Sequence, residues 1–239
     1  MKGVLFELKG NWAHFRKPET NNNPLTHDFI TKTALIGLIG AVLGIEREQM
    51  AELFPTLSDD LLYGVRINNA VKKESWSFTL RKVVDVLEKA PKQMEFLKNP
   101  VNTIALALKN TNSMEIFEQF VNAIERSEAK FTPVLGLHNC PAELQFIKAG
   151  EFQVRQTKDE EVFQTKGFIR KSQLTNFAVS KLLSAKFRLG VERIPTFQDN
   201  DFWNWPDKYE SVIYPSENNE VFAQGEYYEF TDGSQWTLI

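Results

Sequence analysis

Cysteine is nearly absent: Cys140 is the only one among 239 residues, which excludes an intramolecular disulfide and any multi-cysteine zinc site. Histidine is almost as scarce, with His14, His27 and His138 scattered through polar stretches. No Walker loop, Gly-x-Ser-x-Gly elbow or His-Glu-x-x-His helix occurs, so the nucleotide hydrolases, serine hydrolases and metalloproteases that carry them are set aside. Long apolar runs are missing too. The longest, Ala34 to Ile45, spans twelve positions with three glycines, well short of the roughly 18 a membrane span needs. Met1-Lys2-Gly3 leads straight into the alternating Val4-Leu5-Phe6-Glu7-Leu8, with no apolar centre or cleavage site of a secretory signal. The expected compartment is the reducing cytoplasm. There is no excess of positive charge either, since the net charge is −3, and on that count alone a nucleic-acid partner is disfavoured.

The distribution of charge reverses that impression. Residues 64–110 hold nine Lys/Arg against four Asp/Glu, and residues 148–193 hold ten against five, whereas residues 194–239 hold one against nine. Two basic blocks are left for a polyanion; the plainer alternative is a pair of solvated faces. The acidic tail, with Asp199, Asp201, Asp207 and Glu210 around Trp203 and Trp205, suits docking of a basic partner or shielding of a groove.

Along the chain, residues 3–9 alternate as a strand does, and a polar loop from Gly10 to Asp28 follows. Thr31 and Thr33, both N-cap types, open an apolar helix ending near Ile45. Its Gly37, Gly40 and Gly44 let a sheet approach closely; Gly37-x-x-Gly40 is a packing feature, not a nucleic-acid clamp. After a polar helical stretch, Tyr63 to Asn69 reads as a strand, Asn68-Asn69 as a turn and Ser75 to Leu80 as the paired strand. Arg81 to Pro100 reads as an extension projecting from the sheet. Val101 to Lys109 is another strand. Met114, Phe117, Phe120, Val121 and Ile124 recur at helical steps, and Phe131 to Leu137 is strand-like. The order strand, helix, strand, strand, helix, strand predicts an α+β, ferredoxin-like or RNA-recognition-motif domain over residues 1–147. Residues 148–239 form a smaller, mainly-β C-terminal region, with short strands at Phe163, Phe168-Ile169, Val212-Ile213-Tyr214, Val221-Phe222, Tyr227-Tyr228 and Trp236-Thr237.

Four stretches carry a family resemblance: Trp12-Ala13-His14-Phe15-Arg16, then Thr31-Lys32-Thr33-Ala34-Leu35-Ile36-Gly37, then Met94-Glu95-Phe96-Leu97-Lys98-Asn99-Pro100, and Phe131-Thr132-Pro133-Val134-Leu135-Gly136-Leu137. Together they resemble the CRISPR-associated Cas-five family of the RAMP superfamily, closest to its subtype I-B branch. The resemblance implies a β-hairpin thumb, here at about 81–100, and a place in the Cascade surveillance complex. In that complex the subunit caps the 5′ handle of the crRNA, the guide strand. It also touches a backbone subunit and the large subunit that reads the motif beside the DNA target, the PAM.

The residues themselves suit that role. Thr31, Lys32 and Thr33 sit at a helix N-terminus, where free N–H groups favour anions. Arg16 and Lys17 offer charge to phosphates, and Trp12 and Phe15 offer rings to unpaired bases; their alternative is the core. His14 and His138 border the same loops, and Gly136 allows close backbone approach. Arg66, Lys72, Lys73, Arg81 and Lys82 complete a basic strip. Lys158, Lys166, Arg170 and Lys171 are candidates for DNA by charge alone.

The nuclease branch of the family cuts guide precursor without metal, using a tyrosine near the end of the first helix and a downstream Lys-His pair. Gly44-Ile45-Glu46 and Lys109-Asn110 stand there in this chain. A non-catalytic subunit without metal or cofactor is expected. The alternatives are a metal-independent endoribonuclease using His14, His27 or His138, or a purely structural assembly subunit.

Overall fold

The computed structural model describes residues 1–20, 22–81, 89–182, 187–201, 205–206 and 208–239. In chain order the strands and helices of the first half are β1 (Lys2–Lys9), β2 (Trp12–Ala13), α1 (Lys32–Leu43), α2 (Arg47–Asp60), β3 (Leu61–Ile67), β4 (Lys73–Arg81), β5 (Lys89–Lys98), β6 (Val101–Leu108) and α3 (Met114–Glu125). The second half holds β7 (Glu143–Gln156), β8 (Phe163–Thr165), β9 (Ile169–Arg170), α4 (Asn176–Leu182), β10 (Leu189–Pro195), β11 (Tyr209–Pro215), β12 (Val221–Ala223), β13 (Glu226–Phe230) and β14 (Gln235–Trp236).

The main sheet runs β14-β13-β7-β1-β6-β3. Its four strands β7-β1-β6-β3, with α1 and α3, are the ferredoxin-like arrangement that the sequence order predicts. Alternation along β1 sorts its side chains between two cores. Val4, Phe6 and Leu8 join the cluster under the helices, where the Phe6 and Phe120 rings meet edge-on at 5.6 Å. Leu5 faces the other way, beside Ala105, Ala107, Phe152, Phe230 and Trp236. Thr31 caps α1 by accepting from Ala34 N, and Gly44 at φ 69° ends it, as an N-cap hydroxyl and a left-handed C-terminal glycine should.

The face opposite the helices is not free. Trp236 and Leu238 are fully buried against it, and Tyr63 and Ile239 exchange backbone hydrogen bonds of 3.0 Å in both directions. The C-terminal segment therefore crosses under the sheet from β13 to the edge strand β3. The other C-terminal strands form β10-β11-β9 and β12-β8; β8, β9, β11 and β12 fall on short strands read from the sequence, whereas β10 is not among them.

Three expectations need correction. Phe131 to Leu137 is not a strand: Pro133, Pro141 and Gly136 fold it into a loop with Leu135 buried, and β7 is the fourth strand of the motif. The segment around Ser75 to Leu80 pairs with β5, not with β3, which lies on β6. The projecting hairpin thus starts at Lys73; Lys82 and its neighbours through Glu88 lie outside the described residues. The boundary placed at residue 147 falls inside β7, whose far half carries β13. No described helix is long and apolar enough to cross a membrane.

Candidate nucleic-acid interface

A groove of about 670 Å³ opens where the loop after β1, the start of α1 and the loop before β7 converge. His14, Phe15, Arg16, Thr31, Thr33 and Gly136 all line it, so six of the sequence-picked residues share one site. The local cause is tight backbone contact. Gly136 adopts φ 90°, and a Cβ there would lie 2.0 Å from the His14 carbonyl oxygen. His14 N also donates to Leu135 O at 3.0 Å, which clamps the two loops together. Only glycine tolerates both the dihedral and the approach.

Within the groove the roles diverge. Arg16 is exposed, and among the described residues its Nη2 donates only to Thr20 O at 3.3 Å, leaving the guanidinium fork open to a phosphate. Thr31 and Thr33 hold their hydroxyls 3.1 Å apart. Phe15 is buried and forms the floor; it offers no face for stacking. His14 is buried too. Its Nδ1 donates to the Glu95 carbonyl at 2.7 Å, because a carbonyl can only accept, and Nε2 is left buried without a partner. Burial pushes its pKa down, outweighing the backbone hydrogen bond, so the imidazole is held neutral with its tautomer fixed.

The remaining choices lie elsewhere. Trp12 packs at the base of the hairpin, its ring 4.6 Å from Trp76 and 6.4 Å from Phe96, with Lys98 Nζ 5.7 Å above it. Lys17 is committed to Glu192 at 3.0 Å, and the same carboxylate meets His27 Nδ1 at 3.0 Å. Lys73 bridges Asp28 at 2.6 Å and Glu95 at 3.2 Å. Both lysines therefore fasten loops and do not await a ligand. Arg66 stacks over Trp236 at 4.5 Å, in a separate polar cleft with Gln164, Lys166 and Glu220. Lys72 and His138 are exposed. The Arg81 side chain and Lys82 lie outside the described residues. Lys32 is buried and does not line the groove. Among the described residues no group of three His, Cys, Asp or Glu could hold a metal.

Of the far wall, sequence reasoning singled out only Trp205, as part of a tail suited to shielding a groove. Met94, Pro195, Gln198 and Trp205 close the groove, with Trp205 66% exposed. It also missed the aromatic face of the hairpin, where Trp76 and Phe78 are 41% and 39% exposed. The signal was present: Trp76 and Phe78 alternate with Ser75, Ser77 and Thr79, the period of a two-faced strand.

A family model described as CRISPR-associated protein (Cas_Cas5) matches residues 3–197. The chain belongs to that family. Its fold is also that of solved CRISPR proteins. A chain of a CRISPR RNA-guided surveillance complex is 13% identical, with TM-score 0.54 over 92% of this chain and 91% of that one. A CRISPR protein from Archaeoglobus fulgidus is 14% identical, with TM-score 0.55 over 99% and 98%. At such identities the likeness speaks for the fold alone. No curated protein is a significant sequence match. For a Cas5-family chain the groove is a bordered, partly apolar channel with one open guanidinium, hydroxyls at a helix start and an aromatic rim. Those parts can hold the backbone and bases of a single strand.

Proposed function

We propose that this Cas5-family chain is a non-catalytic subunit of a CRISPR surveillance complex, and that its groove takes the 5′ handle of the guide RNA. The observation that carries the reading is the convergence of His14, Arg16, Thr31, Thr33 and Gly136 from three separate segments on one groove. Arg16 supplies the charge for phosphates, and Trp205 and the hairpin rings Trp76 and Phe78 supply apolar faces for bases. Backbone and large subunits of the complex are its expected partners, in the cytoplasm. His14 argues for binding over cleavage. Its fixed neutral tautomer would suit a base, but Nε2 is sealed from solvent.

The test is binding of labelled handle RNA across a salt series, with a cleavage lane beside it. Intact RNA should be bound with an affinity falling linearly against salt on a log–log plot, and Arg16→Ala should lower that slope by about one. Metal-independent cutting abolished by His14→Ala would move the chain to the nuclease branch. Flat salt dependence would leave a structural assembly role.

A further inference from the structure

β7 is 14 residues long, yet Phe152 is the only one of them that is buried. Its two neighbours divide it. β1 pairs with Glu143–Glu151, and β13 pairs with Phe152–Gln156. The sheet order sets those partners on opposite sides. Backbone direction agrees. Phe152 N donates to Met1 O at 2.8 Å, toward β1, so Glu151 and Ala149 turn their backbone groups outward. The same alternation along β1 turns Phe146 and Leu144, the partners of Phe6 and Leu8, outward as well. Glu151 is satisfied there by one hydroxyl: its N–H donates to Thr231 Oγ1 at 2.8 Å, and that Oγ1 donates to its carbonyl at 3.1 Å. β13 ends at Phe230 and turns back into β14, so it does not extend further along β7. From Leu144 to Ala149 no described strand or side chain takes the outward groups. The opposite edge of the same sheet is closed by the chain itself, where Ile239 pairs with Tyr63.

Two cavities border the open stretch on the helix side. One, of about 260 Å³, lies between Phe117, Val121 and Asn122 of α3 and Ala149 and Gly150 of β7. The other, of about 160 Å³, lies between Ile124, Glu128 and Leu144. A bulge opposite Leu5 and Phe6 leaves Ile147 without a partner on β1. Leu144 and Ala149 therefore share the helix face, opposite Leu8 and Val4, four strand positions or about 13 Å apart.

The chemistry of this edge selects its occupant. Alternating N–H and C=O groups are matched by another extended backbone, not by a phosphate strand. The surrounding segment also repels a polyanion: residues 111–151 hold six Asp/Glu against three Lys/Arg, and Glu118 and Glu128 line the two cavities. We infer that the outer edge of β7, from Leu144 to Ala149, receives an extended segment of another protein subunit as a further strand of the sheet. That segment carries apolar side chains four residues apart, which enter the two cavities, and basic residues that meet Glu118 and Glu128. The inference rests on the chain's place in a multisubunit complex, and not on the groove taking RNA.

Hydrogen–deuterium exchange over residues 143–150 tests this, on the full chain alone and in the complex it forms with its partner subunits. The outward amides of Leu144, Phe146 and Ala149 should exchange quickly in the isolated chain and about tenfold or more slowly in the complex. Ala149→Pro removes one outward N–H at a place where an edge strand tolerates proline. It should bind handle RNA with an unchanged salt slope, yet bind the partner subunits about tenfold more weakly. Asn122→Trp, on an exposed side chain at the larger cavity, fills that cavity without altering the strand and should weaken the same assembly. Unchanged exchange on assembly, full assembly by both variants, or a chain that joins no protein subunit would overturn the site. So would concentration-dependent protection in the isolated chain, which assigns the edge to a second copy, or protection by RNA alone. RNA affinity is read separately, so failure of the groove and failure of the edge give different results.

Discussion

Glu192 and Lys32 are both nearly sealed from solvent, 4% and 5% exposed, yet only Glu192 has its counter-charges. Burial alone would raise the Glu192 pKa, but hydrogen bonds and charge from His27 and Lys17 win and hold it near 2. With the folded value below the unfolded one, its stabilisation is complete above about pH 4.5 and is lost as pH falls toward 2. Glu192→Gln should cost about 2–3 kcal/mol at pH 7, since it strands a buried ion-pair partner. Denaturant unfolding should show that gap closing as pH falls through the same window. Lys32 has the opposite sign. Burial and the neighbouring cations, offset in part by Asp59, bring its pKa down to about 8. The cost of its charge is therefore present in full below pH 8 and relieved as pH rises toward 10.5, where the unfolded chain also loses the proton. Lys32→Met should be more stable than wild type at pH 7 by about 3 kcal/mol at most, with the advantage shrinking above pH 8. Gly136→Ala should cost about 2 kcal/mol or more through its dihedral and the clash with His14 O, read as a drop in Tm together with loss of RNA binding.

The hairpin of β4 and β5 is the element whose two faces differ most. Register pairs Trp76 with Met94 and Phe78 with Lys92 on one face, and Ser75 with Glu95 and Ser77 with Gln93 on the other. Its base is fixed by the Trp12, Trp76 and Phe96 rings and by Lys73 between Asp28 and Glu95. The aromatic face further out is left half exposed. Under the proposed function it offers stacking to unpaired bases. Phe78→Ala should weaken handle RNA by about fivefold or more, the low end of a lost stacking contact. Its Tm should fall less than for a core phenylalanine, because Phe78 is 39% exposed.

At the scale of the whole molecule, the C-terminal segment makes the ferredoxin-like sheet complete. Trp236 is fully buried against a face that Leu5, Ala105 and Phe152 would otherwise show to water. Trp236→Ala should cost about 3–5 kcal/mol, seen as a lowered denaturant midpoint. The same segment explains part of the charge pattern. Arg155 meets Glu229 at 3.4 Å and Arg170 meets Glu210 at 3.8 Å, so the acidic tail offsets some of the second basic block within the chain. That block is less available to a polyanion than its composition suggests.

The sequence alone determined the βαββαβ pattern of the first half, the cap at Thr31, most of the short C-terminal strands and the family, because periods of 2.0 and 3.6 and local motifs are written in neighbouring residues. It also named one side of the groove, since His14, Arg16, Thr31 and Gly136 belong to those motifs. It did not determine that β7 supplies the fourth strand. Partners were not legible. Composition does not say that Lys17 ends on Glu192, that Lys73 ends on Asp28, or that β5 and not β3 receives β4. Nor does it say that Lys32 is buried and kept out of the Thr31 groove. Those outcomes depend on which distant segments pack together, and tertiary structure decided them because burial and charge act between residues far apart in the chain.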